Sequence, residues 1–420
     1  MPERSPNTAL TFTALATLSL LSSCKLGVAA PPSSQDFAQI ERGRYLTAVA
    51  DCTACHTDLA AGQSFAGGRP VETPFGTVVS ANITPDVETG IGNWSFEQFD
   101  AAVRRGQRPD GKRLYPAMPY PYYARMSRSD VEAIRAYLAT VTPVHKAVET
   151  NRLPFPYDIR ASMRLWDALY FKPGSFKPDP TKPDAWNRGA YLVQGPGHCA
   201  ACHTPKTWLG GDREGQGLQG YSLQGWFAPN ITNDTTRGLG RWSSADLVEY
   251  LKTGHNRFAG ASGPMAEEVV HSSSNMTASD LSAIATYLKG ESAQSAQSAK
   301  PVPATDARMV AGAAIYEDLC SACHRGDGSG VPYLIPDLAH SSSVESREPT
   351  SLVRVVIRGA RTAATSDEPT SPAMPSFGWQ LSDEQIASVT TYIRNSWGHA
   401  ASPTSPDDVR KARQDLKARS

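Results

Sequence analysis

Five residues carry the chemistry of this chain: Cys52-Thr53-Ala54-Cys55-His56. The pattern returns as Cys199-Ala200-Ala201-Cys202-His203 and again as Cys320-Ser321-Ala322-Cys323-His324. C-x-x-C-H is the attachment signal for c-type haem. Two thiols on one turn can each form a thioether to a vinyl group of one porphyrin, and the next residue then supplies a proximal imidazole to the iron. Other chemistries fit less well. Zinc sites pair two half-sites into four N/S ligands, and here each C-x-x-C has its own adjacent His with no second half-site nearby. A thioredoxin-like pair appears once, near a βαβ pattern. Structural disulfides need no trailing His.

Six of the 7 cysteines belong to these motifs, which leaves Cys24. Residues 1–23 read as a signal peptide, with an apolar run from Ala9 to Leu21 that is too short to span a membrane. The run ends in Leu21-Ser22-Ser23-Cys24, which resembles the lipobox of bacterial lipoproteins, so Cys24 is the expected lipidation site. Ordinary cleavage after Ala29 is the alternative. Both readings export the chain, to the periplasmic side of the bacterial inner membrane. No later stretch approaches the ~20 apolar residues of a membrane span. The 41 basic and 41 acidic residues cancel, which argues against nucleic-acid binding.

The elements that position the motifs come as a unit used three times. Met118 lies 62 positions after His56, Met265 62 after His203, and Met374 50 after His324. Units one and two share Asn82-Ile83-Thr84 with Asn230-Ile231-Thr232, Trp94-Ser95 with Trp242-Ser243, Gly106 with Gly254, and Arg42-Gly43-Arg44-Tyr45-Leu46 with Arg188-Gly189-Ala190-Tyr191-Leu192. Each unit closes with a helical period: Val131, Ile134, Leu138; Leu281, Ile284, Leu288; Ile386, Val389, Ile393. Ser129-x-x-Glu132 and Ser382-x-x-Gln385 read as capping boxes, and Thr277-x-x-Asp280 as a weaker one. No alternating run is long enough for a sheet. The expected fold is mainly α, three tandem class I cytochrome c-like domains, each a small helical bundle around one covalently bound haem. The expected boundaries are 36–142, 185–290 and 306–398. A Pro-rich connector (143–184, with a short helix near Arg160 to Tyr170) and a flexible linker (291–305) join them. Residues 399–420 read as a polar, solvated tail or frayed helix.

The second axial ligand decides the function of such a haem. Closed by Met it carries electrons at a raised potential; left open, it can activate peroxide or oxygen. Met118 and Met374 both stand in Pro-Ala-Met-Pro, where flanking prolines hold the loop extended. Met265, in Gly263-Pro264-Met265-Ala266, follows by its spacing. The iron ligands expected are His56 with Met118, His203 with Met265 and His324 with Met374. His255, His271 and Met276 are the rivals in the second unit. His145, His340 and His399 read as surface residues, and His198 as a neighbour of the haem at most.

These residues resemble the three-haem cytochrome c subunit of bacterial membrane-bound dehydrogenases for alcohol, gluconate, sorbitol or fructose. The resemblance rests on the three motifs together with Asn82-Ile83-Thr84-Pro85-Asp86, Gly90-Ile91-Gly92-Asn93-Trp94-Ser95, Leu114-Tyr115-Pro116-Ala117-Met118-Pro119-Tyr120, Leu153-Pro154-Phe155-Pro156 and Gly263-Pro264-Met265-Ala266-Glu267. It covers roughly residues 36–398. It implies a separate catalytic subunit, a quinoprotein with pyrroloquinoline quinone or a flavoprotein with FAD, that passes electrons here for relay to ubiquinone or a downstream cytochrome. Members of the family often anchor through a C-terminal apolar helix; here the C-terminus is polar, and a lipid on Cys24 or a partner would hold the chain at the membrane surface. The chain itself has no Gly-rich dinucleotide fingerprint and no His-Glu-x-x-His, so it is expected to be no enzyme on its own. The other readings are a cytochrome subunit of a respiratory oxidase and a peroxidase-like multihaem enzyme with one open iron.

Overall fold

The computed structural model describes residues 1–2, 34–58, 60–149, 151–291 and 300–418. Beyond residues 1–2, the expected signal peptide lies outside the described residues, as does Cys24. The chain is mainly helical, with three two-stranded hairpins as its only sheets among the described residues. No helix among those residues is long and apolar enough to cross a membrane.

Each unit is built on a crossing of its first and last long helices: Ser34–Val49 with Arg128–Leu138, Asp184–Gln194 with Ala278–Gly290, and Ala307–Leu319 with Asp383–Ile393. A glycine marks each crossing. A Cβ on Gly43 would stand 1.9 Å from the Ala133 carbonyl oxygen, one on Gly189 1.9 Å from that of Ala283, and one on Gly312 2.3 Å from that of Ser388. Only backbone fits there, so the helices meet closer than any side chain would allow.

The closing helices are stapled at the same place three times. Met126, Met276 and Leu381 are buried just before the N-caps Ser127, Thr277 and Ser382. They share a core with Val131, Leu281 and Ile386, which lie in the first helical turn and a half. This is a hydrophobic staple. It gives Met276 a packing role like that of Met126, whose sulfur sits in a fully enclosed core. The capping box expected at Ser382 and Gln385 is present. The one expected at Ser129 is not: the cap is Ser127, whose hydroxyl accepts from Asp130 N, and Glu132 pairs with Arg128 at 3.1 Å. Asp130 points instead to Arg42 and Tyr191, which leaves no carboxylate to complete a box.

The repeated landmarks are turn devices. Asn82 and Asn230 accept from the amides of Thr84 and Thr232, at 2.9 and 2.8 Å. Ser95 and Ser243 head capping boxes, and Gly106 and Gly254 end the same helices with φ of 60° and 81°. The helix expected inside the connector is present, as a 3₁₀ turn at Arg160–Ser162 and an α-helix at Met163–Tyr170. Its Asp167 accepts from Tyr120 OH at 2.6 Å and pairs with Arg113 at 2.8 Å, which ties the connector to the first unit.

The tail differs from the expectation. Pro406–Ala418 is a helix packed on the third unit, with Val409 and Leu416 buried and Ala412 beside them. Arg413 holds it by donating to Asp383, Gly378 O and Leu381 O, each at 2.7 Å. Charge counting hid the helical spacing of those three apolar residues. His399 also differs from its expected surface place. It is buried, with Nδ1 2.9 Å from Glu345 and Nε2 2.8 Å from the Leu338 carbonyl. Beside it, fully buried Arg394 donates to the carbonyls of Val344, Ser346 and Ser402. His145 and His340 are exposed as expected.

Candidate functional site

Each attachment motif is a single helical turn that follows its unit's first long helix: Cys52–His56, Ala200–His203 and Ser321–His324. The turn brings both thiols and the imidazole onto one short segment. All six cysteines are unbridged. Desolvation pushes the thiols of Cys52 and Cys199 up to about 12, those of Cys55 and Cys320 up to about 11, and that of Cys202 up as well. A redox pair of the thioredoxin kind requires the opposite shift. Among the described residues, no three or more His, Cys, Asp or Glu are grouped so as to hold a metal ion, so no second half-site joins any of the motifs into a four-ligand zinc site.

The three histidines share one second contact. His56 Nδ1 lies 2.7 Å from the Ala81 carbonyl, His203 Nδ1 2.6 Å from that of Pro229, and His324 Nδ1 3.2 Å from that of Pro336. A carbonyl only accepts, so the proton sits on Nδ1 and the Nε2 lone pair is the one that can ligate. Desolvation lowers the pKa of all three rings, which keeps them neutral. Imidazoles fixed in this tautomer beside paired thiols are a donor set that fits a covalently held haem.

The expected methionines occupy three settings. Met118 packs against the same apolar core as Cys52. Met374 lies in the short strand Ala373–Met374, and its core adjoins that of Cys320 through Ile315. Met265 is the second residue of the helix Pro264–His271 and packs with Ala261, Val269 and, from the third unit, Ala363. Of its rivals, Met276 is the staple. His255 is buried with both nitrogens engaged, Nε2 at 2.7 Å with the Thr362 hydroxyl and Nδ1 3.3 Å from the Thr253 carbonyl. His271 is half-buried, and desolvation lowers its pKa.

The first two motifs face one another. Cys55 and Cys202 are close enough to couple electrostatically; Asp51 acts on both thiols, Glu267 on Cys55 and Glu268 on Cys202. Asp51 and His198, the residues before Cys52 and Cys199, are both left-handed (φ 50° and 36°), and the His198 ring packs edge-on to Tyr123. Desolvation, with Glu268 and Glu267 nearby, pushes Asp51 up to about 9; desolvation also pushes Glu268 up to about 7, despite its bond from the Ser273 hydroxyl. A carboxyl with a raised folded-state pKa binds its proton more tightly when folded. Its contribution is therefore favourable at low pH and is lost as pH rises from about 4.5 through about 7. Glu268→Gln is expected to flatten that decline and to leave the variant about 3 kcal/mol more stable than the parent at pH 8, with no difference at pH 4. Denaturant midpoints across that pH range measure it.

Sequence reasoning missed the clasp between units one and two. Asp130 takes Arg42 from its own unit and Tyr191 from the other; Asp280 takes Arg188 from its own unit and Tyr45 from the other. The contacts are reciprocal, as in an isologous dimer. The signal was present in the matched Arg42-x-x-Tyr45 and Arg188-x-x-Tyr191 and in the Asp three residues after each cap, but repeats alone do not say which copies meet.

The chain belongs to the cytochrome c family, whose model matches residues 40–142, 187–292 and 309–397. Its relatives narrow the type to the cytochrome c subunits of bacterial membrane-bound dehydrogenases. It is 40% identical over 400 residues, 90% of either chain, to the gluconate 2-dehydrogenase cytochrome c subunit of Pantoea cypripedii. It is 39% identical over 413 residues (91% of this chain, 84% of the relative) to the fructose dehydrogenase cytochrome subunit of Gluconobacter japonicus. The alcohol dehydrogenase (quinone) cytochrome c subunit of Gluconacetobacter polyoxogenes is 39% identical over 425 residues (96% and 89%). The resemblance and the mainly helical, three-unit fold expected from the sequence are borne out. Cytochrome c domains imply covalent haem c, and three matched segments are consistent with three.

Proposed function

We propose that this chain is the electron-relay subunit of a membrane-associated dehydrogenase complex. It takes electrons from a catalytic subunit, a quinoprotein or a flavoprotein, and delivers them to ubiquinone or another respiratory carrier. The reading places the complex on the periplasmic face of the inner membrane, held by a lipid on Cys24 or by the partner. The observation that carries the relay is the threefold histidine tautomer: three C-x-x-C-H turns, each with Nδ1 bonded to a carbonyl. Bound there, each haem would supply a one-electron ferrous–ferric couple. The chain's own residues would hold each haem: the six thiols would tether the three groups, His56, His203 and His324 would each supply an imidazole, and Met118, Met265 and Met374 would supply the second ligands. Substrate oxidation belongs to the partner.

The experiment is haem counting by pyridine haemochrome, with optical and low-temperature magnetic spectra of the oxidised chain. Three low-spin haems and a methionine-to-iron band are the expected result. A high-spin, peroxide-reactive haem would overturn the pure relay and favour the enzyme reading, and the second unit is where to look, since Met265 packs apart from that unit's main core. Met118→Leu is expected to lower one potential with haem attachment intact; an unchanged redox titration refutes that ligand. Cys24→Ser is expected to release a processed chain from the membrane fraction, and retention would point to the partner as anchor.

A further inference from the structure

The loops that carry Met265 and Met374 belong to different units yet are bonded as one piece. In the first unit the corresponding loop closes on itself: Leu114 N donates to Gly106 O at 2.7 Å, and Gln107 faces Arg113. The connector covers its outside, with Arg160 donating to Arg113 O and Tyr115 OH to Tyr157 O. The second unit repeats the closure, with Ala261 N donating to Gly254 O at 2.7 Å and His255 facing Gly260. Its outside is covered by the third unit instead. Ala363 N donates to Ala261 O at 2.9 Å, Ser262 pairs with Thr362, and buried His255 bonds the Thr362 hydroxyl at 2.7 Å. Thr362 N then donates to Pro372 O at 3.0 Å, two residues before Met374, and Ser371 Oγ donates back to Thr362 O. The seam has no slack: a Cβ on Gly254 would meet Ala363 Cβ at 2.6 Å, and one on Gly260 would meet Thr362 Cγ2 at 2.6 Å.

We infer that His255 and Thr362 are shared positioning residues, which set the second and third methionine loops together so that the two iron sites respond as a coupled pair. In the first unit position 107 is Gln and its loop meets the connector, so that site stands outside the pair. The inference rests on the relay reading and on methionine ligation. A packed, hydrogen-bonded joint transmits a small displacement because its close-packed parts cannot yield separately.

The test uses the full, haem-loaded chain with His255→Leu, Thr362→Val and the double variant, and reads the three midpoint potentials by spectroelectrochemical titration, assigned with Met118→Leu and Met374→Leu. Each single substitution is expected to move the second and third potentials together and leave the first unmoved. The double variant is expected to move them no further than the larger single change, and His255→Gln, which keeps a donor, to return them toward the parent values. A shift confined to the second haem for His255→Leu and to the third for Thr362→Val, or simple addition in the double variant, overturns the inference. If His255→Leu does not assemble, Thr362→Val, which removes only a hydroxyl, decides it. The parent chain's haem count and spin state separate failure of this coupling from failure of the relay reading.

Discussion

Replacing Cys199 and Cys202 together with alanine is expected to remove one of the three proposed haems, and to cost the second unit its independent stability. The two thiols sit on one turn and are the only covalent tethers that this unit offers among the described residues. Cys199 and Ala200 also pack against the unit's apolar core, beside Tyr191, Leu281 and Leu288. A segment of about 100 residues, such as 187–292, buries modest apolar surface by itself, and a bound group stabilises the folded form by mass action. Loss of the haem should therefore appear twice: as a haemochrome signal reduced by one third, and as an early unfolding transition absent from the parent. Retention of three haems would refute the motif as an attachment site. His203→Ala is the companion variant, expected to keep the covalent haem while losing the low-spin spectrum of that unit.

Asp280→Ala is expected to destabilise the joint between the first two units by about 2 kcal/mol, between the cost of breaking a surface ion pair and that of breaking a fully buried one. The buried carboxylate accepts from Arg188 Nε at 2.8 Å and Nη2 at 2.7 Å, and from Tyr45 OH of the other unit at 2.6 Å. Its removal leaves a guanidinium and a phenol without their acceptor. Desolvation alone would raise the Asp280 pKa, but the bonds from Arg188 and Tyr45 outweigh it and hold the pKa below the ordinary carboxylate value. A depressed folded-state pKa means that this stability is present above about pH 4 and is lost as pH falls through the lowered value. The gap between parent and variant should therefore be full at pH 7 and shrink toward pH 2. Denaturant unfolding at the two pH values measures it, and a gap that is independent of pH would show that the carboxylate charge is not what holds the units. Asp130→Ala should weaken the same joint at pH 7, because Asp130 serves Arg42 and Tyr191 in the mirrored arrangement.

Much of the site is legible in the amino-acid sequence because it is local. Cys-x-x-Cys-His is a five-residue motif on one helical turn, and its chemistry follows from spacing alone. The closing helices are legible through their apolar period, and the repeats through matched landmarks that prove to be Asx turns, caps and helix ends. Local patterns also mislead. Ser127 and Ser129 each have an acid three residues on, and only the bond of Asp130 N to the Ser127 hydroxyl, with Ser129 already inside the helix, shows that Ser127 is the cap. Met276 resembles a ligand candidate until its place beside Leu281 identifies it as the counterpart of Met126.

By itself the sequence determined the number of units, the turns that carry the attachment motifs and the mainly helical class, since these depend on contacts within one turn or one helix face. Tertiary structure alone decided how the copies meet. Nearly identical segments carry identical local instructions, so nothing in Arg42-Gly43-Arg44-Tyr45 says that Tyr45 will reach Asp280 rather than Asp130. The same holds for the bond of His255 to Thr362 and for the packing of Val409 and Leu416, on the last helix, against the core of the third unit. These contacts join residues far apart in the chain, and which of them form depends on the shape and burial of whole units, which no local period encodes.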